Sequence, residues 1–263
     1  MTRALGLLML CAATLLPARA AEPVALFDGK GTGKWYTFLR DHGKDKDPNG
    51  NFTVRDGILR IAGRDFGGLV TRDEYANYEV RLEYAWGGKV WPPREKTARD
   101  SGLILHSTGP DGAVGKSWLA GIQCNLLEGA TGDISITGAN PKYGFRAQAE
   151  ERPAGNKTGL YWKDGAPARD FGAGGRLLWF GRDPSWENVL GFRGKDDVEK
   201  GVGEWNTLAV TMRGDTMAVR LNGVTVSRAM NLGVTRGKLQ IQSEGAEVLI
   251  RRITLSPLAK EGP

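Results

Sequence analysis

Two strand-like runs between Arg99 and Asp133 carry an unusual set of side chains. The first reads R-D-S-G-L-I-L-H; after a Gly-rich turn the second reads W-L-A-G-I-Q-C-N-L-L-E-G-A-T-G-D. In an ordinary strand pair the polar positions would hold Thr, Ser or Lys, placed for solubility. Here they hold Asp100, His106, Gln123, Asn125, Glu128 and Asp133, side chains that chelate, pair with sugar hydroxyls or move protons. A site is expected in this candidate hairpin.

The elements that must position these groups read as β-strands almost throughout. F-T-V-R-D-G-I-L-R-I-A, Y-E-V-R-L-E-Y-A, T-L-A-V-T-M-R, M-A-V-R-L-N-G-V-T-V, K-L-Q-I-Q-S and V-L-I-R-R-I-T-L alternate apolar and polar residues. Turn signals separate them at Asp56-Gly57, Gly109-Pro110-Asp111-Gly112, Arg213-Gly214-Asp215 and Asn222-Gly223, the last a hairpin signature because both residues tolerate positive φ. Many short antiparallel strands predict an all-β sandwich of jelly-roll type, in which a curved sheet offers a concave groove. Alternate residues of such a sheet point to one face. Parity therefore groups Gln123 with Asn125, Asp100 with Ile104 and His106, and Gln240 with Gln242 and Glu244. Ile122, Cys124 and Leu126 take the opposite face. The Arg-, Gly- and Trp-rich stretch from 143 to 203 alternates weakly. Together with the insert W-G-G-K-V-W-P-P-R-E-K-T-A-R-D, it is expected to form functional loops over the groove.

Composition narrows the function classes. Residues 1–20 form a signal-peptide pattern, with Arg3, the apolar run from Leu5 to Leu16 and the small-x-small site Ala18-Arg19-Ala20. The expectation is one exported domain over 21–263, periplasmic or secreted after cleavage near Ala20. No membrane span is expected, since the apolar run falls short of the roughly 20 residues a bilayer requires. The formal charge is +6, and cleavage removes Arg3 and Arg19 to leave +4. The basic residues are scattered among acids, which argues against a nucleic-acid partner. Cleavage also removes Cys11, so Cys124 has no partner for a disulfide and reads as a small buried hydrophobe. With only two histidines a His-rich zinc site is excluded, and a divalent cation would be held by oxygen ligands.

The ordered segments L-F-D-G-K, N-F-T-V-R-D-G-I-L-R-I, T-R-D-E-Y-A-N-Y-E-V-R-L-E-Y, A-R-D-S-G-L-I-L-H, Q-C-N-L-L-E-G-A-T-G-D-I, V-G-E-W-N-T and L-Q-I-Q-S-E-G-A-E-V-L-I-R-R-I resemble the bacterial 3-keto-disaccharide hydrolase family. The resemblance runs from Leu26 to Leu258. It implies a concanavalin-A-like jelly roll acting on glycosides whose C3 hydroxyl is already oxidised to a ketone. The carbonyl acidifies the C2 hydrogen, a base removes it, and the enediolate expels the C1 aglycone before water adds. Such a site needs a base, an enediolate stabiliser and an acid for the leaving oxygen. A carboxylate-held cation would serve as the stabiliser.

Glu128, at a turn that would expose it on the groove rim, is the first candidate for base or metal ligand. Alternatively it pairs with an Arg and holds the turn. Asp133 is a further catalytic candidate, or simple turn chemistry. His106 is the candidate proton carrier, or a strand-end His bonded to backbone. Gln123, Asn125, Gln242 and Glu244 are candidates for binding sugar. Arg99 and Asp100 either bind substrate or form a structural ion pair. Trp118, Trp162 and Trp179 either stack on a pyranose or fill core. The expected partner is an oxidised (3-keto) glycoside or other saccharide. The rival reading is a non-catalytic carbohydrate-binding jelly roll. An ordinary retaining glycosidase of this fold would carry alternating carboxylates on one strand, and no E-x-D-x-x-E run exists.

Overall fold

The computed structural model describes residues 22–259, so the signal-peptide pattern over 1–20 lies outside the described residues. Nineteen strands and no helix are present among these residues. One sheet is ordered β17 (Val224–Ala229), β16 (Thr216–Leu221), β15 (Asn206–Arg213), β7 (Tyr78–Val90), β19 (Ala246–Pro257), β5 (Ile58–Ile61) and β4 (Phe52–Arg55), with β1 (Val24–Phe27) also paired to β19. The second is ordered β14 (Arg176–Leu177), β10 (Ile134–Thr137), β9 (Ala120–Leu127), β8 (Asp100–Thr108), β18 (Lys238–Ser243), β6 (Gly67–Thr71), β2 (Trp35–Leu39) and β3 (Gly43–Lys44). A small third sheet pairs β11 (Phe145–Ala154) with β12 (Lys157–Trp162) and β13 (Ala168–Phe171). This is the all-β jelly-roll sandwich that the alternation predicts.

Alternation explains why the two large sheets face each other. In β7, Tyr78, Val80, Leu82 and Tyr84 are buried, while the intervening Glu79, Arg81 and Glu83 lie toward solvent. Leu103 and Leu105 of β8, Ile122, Cys124 and Leu126 of β9, and Leu239 and Ile241 of β18 meet them in one apolar core. Each fully buried aliphatic side chain there contributes about 1.5–3 kcal/mol. Cys124 belongs to this core and burial pushes its thiol pKa up, so it behaves as an inert hydrophobe. The Asn222-Gly223 turn forms as expected, with φ of 49° and 86° closing β16 onto β17.

The weakly alternating stretch from 143 to 203 does something other than expected. Phe145, Ala147, Ala149, Phe171, Leu177 and Trp179 join the apolar core, so part of this stretch extends the sandwich, while Arg152, Trp162 and Phe180 line a separate groove of about 500 Å³. The remainder of this stretch is a loop held down by buried acids. Glu199 is enclosed, and its Oε1 accepts hydrogen bonds from Tyr84 Oη, Trp86 Nε1 (2.9 Å) and Thr131 Oγ1 (2.9 Å). Burial raises its pKa to about 7, against donors that pull it down.

This raised value sets a pH dependence. Folded Glu199 keeps its proton up to about pH 7, whereas the unfolded chain releases it near the ordinary value of 4.5. The native state thus binds more protons across this window, and stability falls as pH rises through it. The contribution is on the order of 3 kcal/mol. Glu199→Gln retains an acceptor for the same donors and removes the titration. Urea unfolding of the variant between about pH 4.5 and 7 should show a shallower decline than wild type; parallel curves would contradict the assignment.

Candidate active site

Strand register builds a polar row on the face of the second sheet turned away from the core. Ile104 opposes Gln123 on one side and Gln240 on the other, Gly102 opposes Asn125, and Asp100 opposes Leu127. Directly opposed residues project from one face, so Asp100, Gln123, Asn125, Gln240 and Gln242 stand together there, as parity predicts. Gln123 Nε2 donates to Gln242 Oε1 at 2.7 Å, and its Oε1 accepts from Thr137 Oγ1 at 2.6 Å. Asn125 Nδ2 donates to Ser135 Oγ at 2.9 Å. The amides are held by one another rather than by solvent, which fixes where their remaining donors and acceptors point.

Glycine keeps this floor open. A Cβ at Gly102 would lie 2.3 Å from both Gln123 Nε2 and Gln242 Oε1, so any side chain there would force the two amides apart. Above the floor is a cavity of about 280 Å³ lined by Asp100, Gln123, Asn125, Gln242, Glu244 and Trp118, among others. That volume suits one sugar ring, at the small end of ligand pockets. Trp118 donates Nε1 to Gly67 O at 3.1 Å, which fixes its ring on the wall. Gln240 Oε1 accepts from Leu119 N at 2.8 Å and so anchors the loop that carries Trp118.

The cavity ends at two carboxyls sharing one guanidinium. Arg94 Nη1 lies 2.9 Å from Asp100 Oδ2, and its Nη2 bonds Glu244 Oε1. The side chains of Asp100 and Glu244 are only 16 % and 10 % exposed. Desolvation raises both pKa values, Asp100 to about 6 and Glu244 to about 8, against the attraction of Arg94. For Glu244 the nearby Asp100 charge adds to the rise. Two acids facing one shared cation cannot both ionise cheaply, so near neutrality they hold one proton between them. The outcome is a carboxylate beside a carboxylic acid, the pairing that acid–base chemistry uses.

Several predicted residues lie elsewhere. The β8–β9 register shifts between Leu105 and Thr108, and His106 there has φ of 48°. This bulge turns the ring out of the face shared by Asp100 and Ile104 and into the core, edge-on to Tyr78 at 5.7 Å. Its Nδ1 is 2.9 Å from Val234 O, and burial lowers its pKa. Glu128 is buried rather than exposed on a rim. Its Oε1 takes Arg99 Nη1 at 2.7 Å and its Oε2 takes Gly191 N at 2.9 Å, so the Arg99–Glu128 pair holds the turn and a loop. Asp133 is likewise enclosed, accepting from Trp179 N at 2.9 Å, Arg176 Nε at 2.9 Å and Arg182. Trp179 is in the core and Trp162 packs against it, next to Phe180. Neither tryptophan lines the cavity. Arg94 is the group that sequence reading did not single out, although it sits in the insert flagged as functional. Among the described residues no group of three or more His, Cys, Asp or Glu converges as a metal cage would. The side-chain oxygens of the groove are the two carboxyls, the amides and Thr137 Oγ1.

The floor generates a direct test. Gly102→Val introduces a strand-compatible side chain where the Gln123–Gln242 contact now runs. Losing that contact and the open floor should weaken saccharide binding at least about tenfold by calorimetry. A variant that melts within a few degrees of wild type and binds equally well would contradict the placement of the cavity.

A model of the 3-keto-alpha-glucoside-1,2-lyase-like domain matches residues 22–256. No curated protein matches the chain. Crystal structures of two candidate glycosyl hydrolases from Parabacteroides distasonis are similar to it. The first is 17% identical with a TM-score of 0.53, covering 90% of this chain and 94% of that one. The second is also 17% identical, with a TM-score of 0.50, covering 90% of this chain and 100% of that one. At such identity the likeness speaks for the jelly-roll fold. The family match spans nearly all the described residues, and the chain belongs to the 3-keto-alpha-glucoside-1,2-lyase-like family of carbohydrate-active jelly-roll proteins.

Proposed function

We propose that this protein cleaves 3-keto-glycosides by removing the C2 proton and eliminating the C1 aglycone. The observation that carries the reading is the acid pair Asp100 and Glu244, bridged by Arg94 at the end of a cavity sized for one sugar. We assign the base to Asp100, whose ionised form is favoured by Arg94, Arg176 and the Ser101 N–H, and the acid to Glu244, on which the neighbouring Asp100 charge helps keep the proton. Gln123, Asn125 and Gln242 take the sugar hydroxyls, and Trp118 offers a ring face to the pyranose.

Protons and electron pairs balance between the two acids and water. Asp100 takes the C2 proton, the C2–H electron pair forms a C2=C3 double bond, and the carbonyl pair moves onto O3. As the C3 carbonyl reforms, the C2=C3 pair shifts to C1=C2 and the C1–O bond breaks. Glu244 protonates the departing oxygen. Water then adds to the 2-hydroxy-3-keto-glycal: its oxygen bonds C1 as Glu244 takes its proton, and Asp100 returns its own proton to C2, completing a net hydrolysis and restoring both acids. On the signal-peptide pattern we place this reaction outside the cytoplasm. A module that only binds sugar would hold the saccharide in the same groove without releasing the aglycone.

Aglycone release from a 3-keto-glucoside by the mature protein tests the reading. Asp100→Asn and Glu244→Gln should each lower kcat by about 10²–10⁴-fold while saccharide binding persists. The rate should rise with pH through about 6, as Asp100 ionises, and fall through about 8, as Glu244 loses its proton. Absence of release across several aglycones, or full activity in both variants, would overturn the proposal.

A further inference from the structure

The separate groove of about 500 Å³ opens where the small sheet meets β17, at the edge of the first sheet. It shares no lining residue with the cavity at Asp100 and Glu244. Part of its wall is aromatic. Trp162 of β12 and Phe180 line it with ring centroids 6.1 Å apart and planes inclined at 66°. Phe180 is 38 % exposed, a large apolar ring left in water. The backbone under both rings is fixed. Trp162 N donates to Leu178 O at 2.8 Å, Phe180 N donates to Val226 O of β17 at 3.2 Å, and Phe180 O accepts from Arg152 Nη2.

The remaining lining groups are polar and balanced in charge. Glu150 and Asp164 stand against Arg152 and Lys163, and Thr225 adds a hydroxyl. Lys163 Nζ reaches Glu150 Oε2 at 2.8 Å, and the Arg152 guanidinium lies over the Tyr161 ring at 3.8 Å. Two acids facing two bases leave no net charge, so the groove gives no electrostatic attraction to a nucleic acid or a strongly charged peptide. Strand addition by a peptide is opposed as well, because Phe180 N already occupies the Val226 carbonyl on the β17 edge. The ligand that fits is neutral, with an apolar face for the rings and hydroxyls for the carboxylate, guanidinium and ammonium groups. A pyranose has both: its C–H bonds make a face that packs on an aromatic ring, and its hydroxyls donate and accept. The cavity of about 280 Å³ at the acid pair suits one ring, and about 500 Å³ is room for two.

We propose that this groove is a second saccharide site, which holds a neutral disaccharide unit without reacting it. It requires no ketone on its ligand, because recognition falls on ring faces and hydroxyls. The inference is independent of the elimination reading, since neither Asp100 nor Glu244 lines the groove. Trp162 stacks on a pyranose as its residue type suggests, but outside the catalytic cavity.

Titration of the mature protein with unoxidised maltose, cellobiose, laminaribiose or trehalose, followed by ¹⁵N NMR of the tryptophan indoles, tests the site. The Trp162 Nε1–H signal, assigned by its absence in Trp162→Phe, should shift with at least one of the four. Its affinity should change less than about twofold between about 0.05 and 0.5 M NaCl. Gly102→Val, which fills the floor of the catalytic cavity, should lose binding there yet keep this shift. Phe180→Ala should weaken the Trp162 response at least about tenfold, with aglycone release from a 3-keto-glucoside within about twofold of wild type. If thermal melts show that Phe180→Ala does not fold, Asp164→Ala, in an exposed turn, carries the comparison with binding at least about threefold weaker. No shift of the Trp162 signal with any of the four sugars, or a shift that both variants leave unchanged, would overturn the proposal. So would a shift lost in Gly102→Val, which would put all binding in the catalytic cavity, or aglycone release that falls in step with binding in Phe180→Ala. The elimination reading stands in each of these cases. A protein that shows the shift but releases no aglycone would overturn that reading and leave the second site standing.

Discussion

One guanidinium divided between two nearly buried carboxyls governs the site. Arg94 holds Asp100 and Glu244 at the end of the cavity. One positive charge does not neutralise two negative ones at low exposure, so burial and mutual repulsion keep a proton on the pair. Remove Arg94 and two carboxyls must be desolvated with only the charge of Arg176 in partial compensation. Expose the pair to bulk water and both return toward ordinary carboxylate values. The rest of the groove maintains the condition between these extremes. Its amides are engaged with one another, its aromatic wall is pinned through Trp118, and its floor is kept low by Gly102.

Other buried acids serve the frame rather than the chemistry. Glu128 joins the start of β8 to the loop at Gly191, Glu199 joins that loop to Tyr84 and Trp86 of the opposite sheet, and Asp133 fixes two arginines. Each has several partners around its oxygens, which offsets the cost of burying a polar group. This supporting shell lets a groove with few apolar contacts hold its geometry, because displacing any one loop would strand a buried carboxyl.

The residues themselves account for how much of this could be read in advance. Period-two alternation gave the sandwich its fold, and the same parity placed Asp100, Gln123, Asn125 and Gln242 on one face. Parity failed at His106 because a bulge adds a residue to β8 there, and a bulge leaves no trace in apolar–polar alternation. Glu128 and Asp133 were expected at a rim because their turn is rich in Gly. The loop that buries them comes from some fifty residues later in the chain, so its cover is a tertiary fact. Arg94 lies in an irregular insert and Arg176 in a two-residue strand. Neither segment has a period from which a direction could be read.

The central claim is that Asp100 and Glu244 retain one proton near neutrality. Site-specific ¹³C labelling of the two carboxyls, followed by NMR through a pH titration of the ligand-free protein, measures it directly. The account predicts two coupled transitions, one near 6 and one near 8, both changed when either partner is replaced by its amide. Two independent transitions at or below about 4.5, the ordinary range for exposed carboxyls, would contradict it.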